Sequence, residues 1–370
     1  MTTAELSAPL TGRGARNRPF RTVRVAHVQR LCDDAAAIAF AVPDRYQDEF
    51  RFAPGQSVTV RRVIDGAEQR RSYSICAPVG AAPRIGVRAV PGGLFSGWLV
   101  HDVAEGDEIE LQPPSGSFCA DPDIAAHHLL IAAGSGITPV LSIAASALAH
   151  PDSRVTLIYG NRRSASVMFA DELADLKDAH CSRLQLIHVL SREARTAELF
   201  SGRLDRGRIR SVLQQLVAVH SVDHAWLCGP LGMVTDAAEA LTELGFDAGR
   251  IHRELFFVED SAPAPVEHAL EARDTSTASR SEVTVVLEGS ESTIAVPRDV
   301  AILDAAQRFR DDLPFACKGG VCGTCRAKVT DGAVDMRRNY ALESREVDAG
   351  FVLTCQSYPL TESLTVDFDA

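Results

Sequence analysis

The sequence predicts three unlike modules in tandem: a small antiparallel β-barrel, a parallel α/β domain and a small α+β domain. Three observations carry that prediction. The length of 370 residues exceeds a usual single domain. Near Ile124 the hydrophobic rhythm changes from short alternating runs to apolar strands interleaved with helical stretches. From Glu259 to Arg280 periodic hydrophobicity fades, and a final block with its own hairpin pattern follows. The expected boundaries are a tail over 1–17, the barrel over 18–122, the α/β domain over 123–258, a linker over 259–280 and the last domain over 281–370.

Each module follows from its local pattern. Thr22 to Val28, Ser57 to Arg62, Arg84 to Val90 and Glu108 to Leu111 alternate between turn-rich segments, as barrel strands do. Leu129 to Ala132, Val155 to Tyr159, Leu184 to Leu190 and Ala225 to Cys228 are apolar strands separated by helices, the mark of a parallel sheet. In the last block Val283 to Leu287 and Thr293 to Val296 flank a hairpin turn. Ala301 to Phe309 reads as a helix and Leu364 to Phe368 as a closing strand.

Composition narrows the class. A net charge of -11 argues against sequence-blind binding to nucleic acid or anionic lipid. Residues 281–370 hold 15 acidic and 9 basic side chains, which suits docking to a basic protein partner. Leu129 to Ala149 runs for 21 residues without a charge, but Gly134, Ser135, Gly136, Thr138 and Pro139 divide it into strand, turn and helix rather than a membrane span. Met1 to Pro19 lacks an apolar export signal, so a cytoplasmic location is expected. Thiols or metal ligands are then expected of the nine cysteines, rather than disulfides.

Four of those cysteines form the strongest signal. Cys317, Cys322 and Cys325 are spaced C-x4-C-x2-C, and Cys355 lies 30 positions further on, the plant-type 2Fe-2S arrangement. Four thiolates must surround two irons while backbone amides turn inward toward sulfur, a tight loop that Gly319, Gly320 and Gly323 permit. A structural zinc site is the alternative, but zinc ribbons pair two short knuckles and only one occurs here.

Weaker signals point to a flat ring and a dinucleotide. On one barrel strand Arg71 can hold a phosphate, Tyr73 can stack on a ring and Ser74 can hydrogen-bond it. Gly92, Gly93, Leu94 and Ser96 open a helix whose amides suit a pyrophosphate. Gly134 and Gly136 form a variant glycine turn after a buried strand, with Thr138 expected to cap the next helix and Pro139 suited to its first turn. Cys228, Gly229 and Pro230 end a strand where backbone can approach a nicotinamide. Asn161, Arg162 and Arg163 stand where a ribose-binding acid would otherwise be, favouring NADPH over NADH. No hydrolase signature accompanies them, and the histidines form no catalytic pattern.

Together Arg71-x-Tyr73-Ser74, Gly134 to Pro139, Cys228-Gly229-Pro230 and the four cysteines resemble the ferredoxin-NADP reductase superfamily joined to a ferredoxin. Cys317 to Cys322, Asn339 to Glu343 and Gly350 to Gln356 resemble the subfamily of reductase components serving phenylacetyl-coenzyme A epoxidase. The resemblance implies a β-grasp ferredoxin domain and FAD, with FMN as the lesser choice. Arg71 would lie near its phosphates, Tyr73 against the isoalloxazine, Ser74 near N5, and Gly92 to Ser96 at the pyrophosphate. Thr138 and Cys228 would border the nicotinamide, with Glu254 near the flavin; Ser74, Cys228 and Glu254 are thus the implied catalytic set. The implied partner is a diiron oxygenase component; a Rieske dioxygenase or a steroid hydroxylase is the rival. A ferredoxin-like carrier with a vestigial flavin domain is the rival of another class. Unlike plant ferredoxin reductases, the nicotinamide domain does not end on a terminal aromatic.

Overall fold

Strands that turn one face to a common core shape the first module. In this computed structural model, which describes residues 19–64, 66–257, 280–310, 312–342 and 344–370, the chain opens with β1 (Arg21–Cys32) and β2 (Ala35–Ala41). With β3 (Ser57–Ile64), β4 (Ala67–Ser74), β5 (Arg84–Arg88) and β6 (Glu108–Ser115) they form an antiparallel sheet in the order β4-β3-β6-β1-β2-β5. A bridge between Ile75 and Ile85 joins the two ends into a barrel, leaving no edge strand free. Both side chains are fully buried, and each contributes roughly 1.5–3 kcal/mol by leaving water. The helix α1 (Leu94–His101) caps one mouth with Leu99 and Val100.

β2 is the strand the sequence hides, because Ala-Ala-Ala-Ile-Ala-Phe-Ala carries little β propensity. Its two faces explain it. Ile38 and Phe40 enter the barrel core, whereas Ala35 and Ala37 join Cys76, Phe118, Ile143 and Phe169 in a second core shared with the next module.

The second module runs β7 (His127–Ala133), α2 (Ile137–Ala149), β8 (Arg154–Asn161), α3 (Ala170–Ala179), β9 (Leu184–Leu190), α4 (Arg206–Leu216), β10 (His224–Pro230), α5 (Leu231–Glu243) and β11 (Ile251–Phe257). All five strands are parallel in the order β11-β10-β7-β8-β9. The order reverses between β7 and β10, the crevice where doubly wound sheets bind ligands. β11 extends the four strands read from the sequence. The uncharged run 129–149 is split between β7, a short turn and α2, as expected, and no helix among the described residues is long and apolar enough to cross a membrane.

The third module contains β12 (Arg280–Leu287), β13 (Ser290–Pro297), α6 (Ile302–Ala306), β14 (Arg326–Asp331), β15 (Val334–Met336), α7 (Ser344–Asp348), β16 (Phe351–Leu353), β17 (Ser357–Pro359) and β18 (Ser363–Asp367). A mixed sheet β13-β12-β18-β14-β16 packs on α6, with β12 and β18 parallel. Glu288 and Gly289, at φ 54° and 69°, make the two-residue hairpin turn. The helix expected from Ala301 to Phe309 is shorter, because Phe309 faces solvent at 68% exposure and offers no apolar stripe to continue it. The expected tail lies outside the described residues, as does the linker except for Arg280, the first residue of β12.

Candidate functional site

The cysteine loop is built around one acceptor. The Cys317 sulfur receives the backbone N–H groups of Gly319 at 3.3 Å and of Val321 and Cys322 at 3.4 Å. Lys318, Gly320 and Gly323 take left-handed φ values of 52°, 79° and 67°, so Lys318 rather than Gly319 makes the first turn. A Cβ on Gly320 would press on the Arg338 carbonyl and the Gln356 side chain at 3.1 Å. The fourth cysteine is tied in by its neighbours. Thr354 Oγ1 donates to the Cys325 carbonyl at 2.9 Å, and Gln356 Nε2 to that of Lys318 at 2.9 Å.

The thiols fall into two pairs, Cys317 with Cys322 and Cys325 with Cys355. The Cys322 thiol and the three amides hold the Cys317 thiol low, while the hydrogen bond to Cys317 and burial push Cys322 up. Among the described residues no three His, Cys, Asp or Glu side chains converge on a single-ion position. Two thiol pairs beside inward-turned amides fit a two-iron cluster better than one tetrahedral zinc.

A second constellation forms where the barrel meets the parallel sheet. β10 and β11 place Cys228 opposite Glu254, and the end of β4 brings Ser74 to the same carboxylate. Ser74 Oγ donates to Glu254 Oε2 at 3.3 Å, and Cys228 Sγ lies 4.0 Å from that oxygen. Burial pushes the Glu254 carboxyl up to about 8, against the opposing pull of the Ser74 hydroxyl. Burial and the nearby Glu254 raise the Cys228 thiol as well. Beside them Tyr73 packs against Phe95, ring centroids 6.2 Å apart, and burial pushes its phenol up. The Arg71 guanidinium donates to the Arg70 carbonyl at 2.6 Å.

The glycine turn differs in one respect from the sequence reading. A 3-10 turn over Gly134–Gly136 leads directly into α2, so Gly136 is the cap residue and Thr138 lies inside the first turn with Pro139. Thr138 is 1% exposed, and its hydroxyl donates to the Ser135 carbonyl at 3.1 Å instead of capping amides. Gly134, at φ 57°, has its carbonyl held by the Tyr159 hydroxyl at 2.9 Å. At Gly136 a Cβ would stand 2.2 Å from the Cys228 carbonyl, so this turn and the Cys228-Gly229-Pro230 end of β10 are in intimate contact.

Between the modules lies a cleft lined by Asp34, Arg88, Gly92, Gly93, His101 and Arg162. Gly92 has φ 72°, α1 has no side-chain cap, and Leu94 is its first residue. The Ser96 hydroxyl accepts the Val90 N–H at 3.0 Å, closing the turn. Asn161, buried at the end of β8, has its side chain near the Tyr159 hydroxyl but no partner in full hydrogen-bonding geometry among the described residues, which leaves its amide available to a polar ligand. Arg163 differs from Arg162: its backbone closes a turn with Ser166. Nearby, the Glu193 carboxylate accepts from Ser164 N at 2.8 Å and Ser164 Oγ at 2.7 Å.

Sequence reasoning missed Arg88, which pairs with Asp34 at 3.3 Å and donates to the Ser166 carbonyl across the module boundary. Only its place at the end of an alternating strand could have marked it. His128, His224 and His252 gather around Trp226 toward the opposite ends of the strands. Burial lowers His128 and His252 to about 4, which suits neutral packing rather than catalysis.

Comparison with known proteins matches each module. Residues 22–119 match the oxidoreductase FAD-binding domain family, 130–239 the oxidoreductase NAD-binding domain family and 285–360 the 2Fe-2S iron-sulfur cluster binding domain family. The chain is 42% identical to one of the subunits of the 1,2-phenylacetyl-CoA epoxidase of Escherichia coli (strain K12), covering 95% of this chain and 98% of that one. It is 33% identical to the ferredoxin reductase component of 3-ketosteroid-9-alpha-monooxygenase of Rhodococcus rhodochrous, covering 90% and 93%. The fold is that of phthalate dioxygenase reductase, TM-score 0.57 at 22% identity, covering 94% and 98%.

Proposed function

Because the chain belongs to the family of NAD(P)H-dependent, FAD- and 2Fe-2S-containing reductase components of oxygenases, we propose that it draws electrons from NADPH and delivers them singly to a diiron oxygenase of the phenylacetyl-coenzyme A epoxidase kind. The observation that carries the reading is the meeting of Ser74, Cys228 and Glu254 at one carboxylate, where the FAD-binding and NAD-binding modules join. When bound, FAD would supply two-electron hydride chemistry beside the nicotinamide and the cluster one-electron transfer.

The protein's own residues would orient and insulate that exchange. Tyr73 and Phe95 offer an aromatic wall for the ring, Arg71 a charge for the phosphates, and Gly92, Gly93 and Leu94 the open start of α1 for a pyrophosphate. Gly134, Gly136, Thr138, Pro139, Gly229 and Pro230 would shape the nicotinamide side, with Cys228 excluding water. With its carboxyl raised to about 8, Glu254 holds a proton at neutral pH and can donate a hydrogen bond beside the ring. Cys317, Cys322, Cys325 and Cys355 would hold the irons.

Arg162 in the inter-module cleft supports NADPH as the donor, with Arg163 and the buried Asn161 beside it in sequence. A second reading, NADH, is favoured by Glu193, a carboxylate held by Ser164 two residues beyond Arg162. One experiment tests the proposal: anaerobic purification, assay of flavin, iron and sulfide, then titration with each nucleotide and with diiron and Rieske oxygenase components. One flavin and two irons per chain, bleached by NADPH and reoxidised by the diiron component, is the expected result. Cluster without flavin would favour a simple electron carrier, and zinc without flavin would overturn the proposal.

A further inference from the structure

We propose that Arg70 is a positioning residue that clamps the cysteine-loop module onto the barrel strand carrying Arg71, Tyr73 and Ser74. The inference rests on the reductase reading for its purpose, and on geometry for its existence.

Arg70 lies on β4 and is only 7% exposed. Such a buried guanidinium must find partners for its donors and its charge. Half of them come from its own module. Glu68 pairs with it at 2.5 Å, and Arg61, held by Glu110 at 2.6 Å, fixes Glu68 from the other side at 3.3 Å. Phe20 lies under the guanidinium at 5.1 Å.

The other half come from the third module. Arg70 Nη1 donates to the Leu313 carbonyl at 3.3 Å, and the Phe315 ring faces the guanidinium at 4.5 Å. Phe315 stands two residues before Cys317, and Lys318 covers the same ring at 5.1 Å. The clamp therefore bears on the stem of the cysteine loop. Val321, next to Cys322, and Tyr340 pack on the core of the nucleotide-binding module, closing the contact on a second side.

The physical consequence is a two-state latch. With the modules together the guanidinium lies between two aromatic rings and reaches a carbonyl; apart, it loses one ring and one acceptor and regains water in their place. Electron transfer falls steeply with separation, so the fraction of molecules in the closed arrangement sets how fast the cluster fills from the flavin.

The test uses the full-length holoprotein with Arg70→Ala, Arg70→Lys and Phe315→Leu. Anaerobic stopped flow follows flavin bleaching by NAD(P)H, and rapid-freeze paramagnetic resonance follows cluster reduction. Loss of the cation–π contact and its hydrogen bond should slow cluster reduction roughly tenfold in Arg70→Ala while flavin bleaching stays within about twofold. Arg70→Lys, which keeps the charge over the ring, should recover part of the rate. The double variant with Phe315→Leu should be no slower than Arg70→Ala, since both remove one contact. Small-angle scattering of the same proteins, with and without their cofactors, should give a larger radius of gyration for Arg70→Ala. Unchanged cluster reduction overturns the clamp, and so does equal slowing of both steps, which would assign Arg70 to the flavin site. If the reductase reading itself failed and no cofactor bound, scattering would still decide: a radius unaltered by Arg70→Ala would overturn the clamp on its own.

Discussion

The cysteine loop and the junction around Glu254 are the two sites through which the proposed reading routes electrons, and they are assembled in opposite ways. In the loop, three cysteines and the amides that face them fall within Cys317 to Cys325, and Cys355 is tied in by its neighbours Thr354 and Gln356. In the junction, Ser74 and Glu254 are 180 residues apart and meet because a barrel docks on a parallel sheet. The loop is thus a local device, and the junction exists only as well as two modules pack. A damaged loop should leave the junction working, whereas the junction should respond to anything that alters burial between the modules.

Cys322→Ser gives the largest expected effect and tests that independence. The serine oxygen is a poor replacement for a thiolate ligand, so electron delivery to the oxygenase should be abolished. Flavin reduction by NADPH should stay at the wild-type rate, measured anaerobically by loss of flavin absorbance. Equal loss of both activities would break the contrast, because the loop would then be part of the junction's support.

The same contrast explains what is legible in the sequence. Spacing alone reveals the loop, since its chemistry needs those cysteines at those intervals; only the sharing of positive φ between Lys318 and the glycines needs coordinates. The module order and most strands are legible from periodicity, but β2 is not, because alanines chosen to fit between two cores carry no strand signal. Glu254 is reached through resemblance alone, and its β11 partner position beside Cys228 is a matter of register. Thr138 reads as a cap in the sequence but is not one, because a 3-10 turn starts the helical winding at Gly134. Arg70 and Arg88 give no signal of their reach across module boundaries, since the carbonyls of Leu313 and Ser166 that accept from them are distant in the chain.

Glu254→Gln sharpens the comparison from the junction's side. The wild-type carboxyl, raised to about 8 by burial, is neutral below that pH and becomes a buried anion above it. Flavin reduction should therefore fall as pH rises through about 8, by roughly tenfold, the net worth of one hydrogen bond. The glutamine variant should show a flat profile. Stability follows the same sign: a group whose folded value is raised contributes fully below its ordinary value of 4.5 and loses that contribution as pH rises through about 8. The melting temperature of the wild type should drop across that range, and that of Glu254→Gln should drop less. A wild-type rate independent of pH across the same range would remove Glu254 from the chemistry.

The smallest expected effect concerns the rim, where a single charge is asked to discriminate two nucleotides that differ by one phosphate. Arg162 lines the cleft together with Gly92 and Gly93, and Arg163 is not among its lining residues, so the discrimination should rest on Arg162. A guanidinium–phosphate contact at a solvent-accessible rim is screened by water and worth about 1 kcal/mol, hence the Michaelis constant for NADPH should rise by roughly fivefold in Arg162→Ala. The constant for NADH should move by less than about threefold, and the maximal rate with either should hold, because the contact is equally strong before and during hydride transfer. Equal rises for both nucleotides would mean that Arg162 grips the shared pyrophosphate. Preference for NADH in the wild type would transfer the role to Glu193, whose carboxylate is already ordered by Ser164 and can accept a ribose hydroxyl. In either case the cysteine loop should still fill at its own rate once the flavin is reduced, since nothing at this rim touches it.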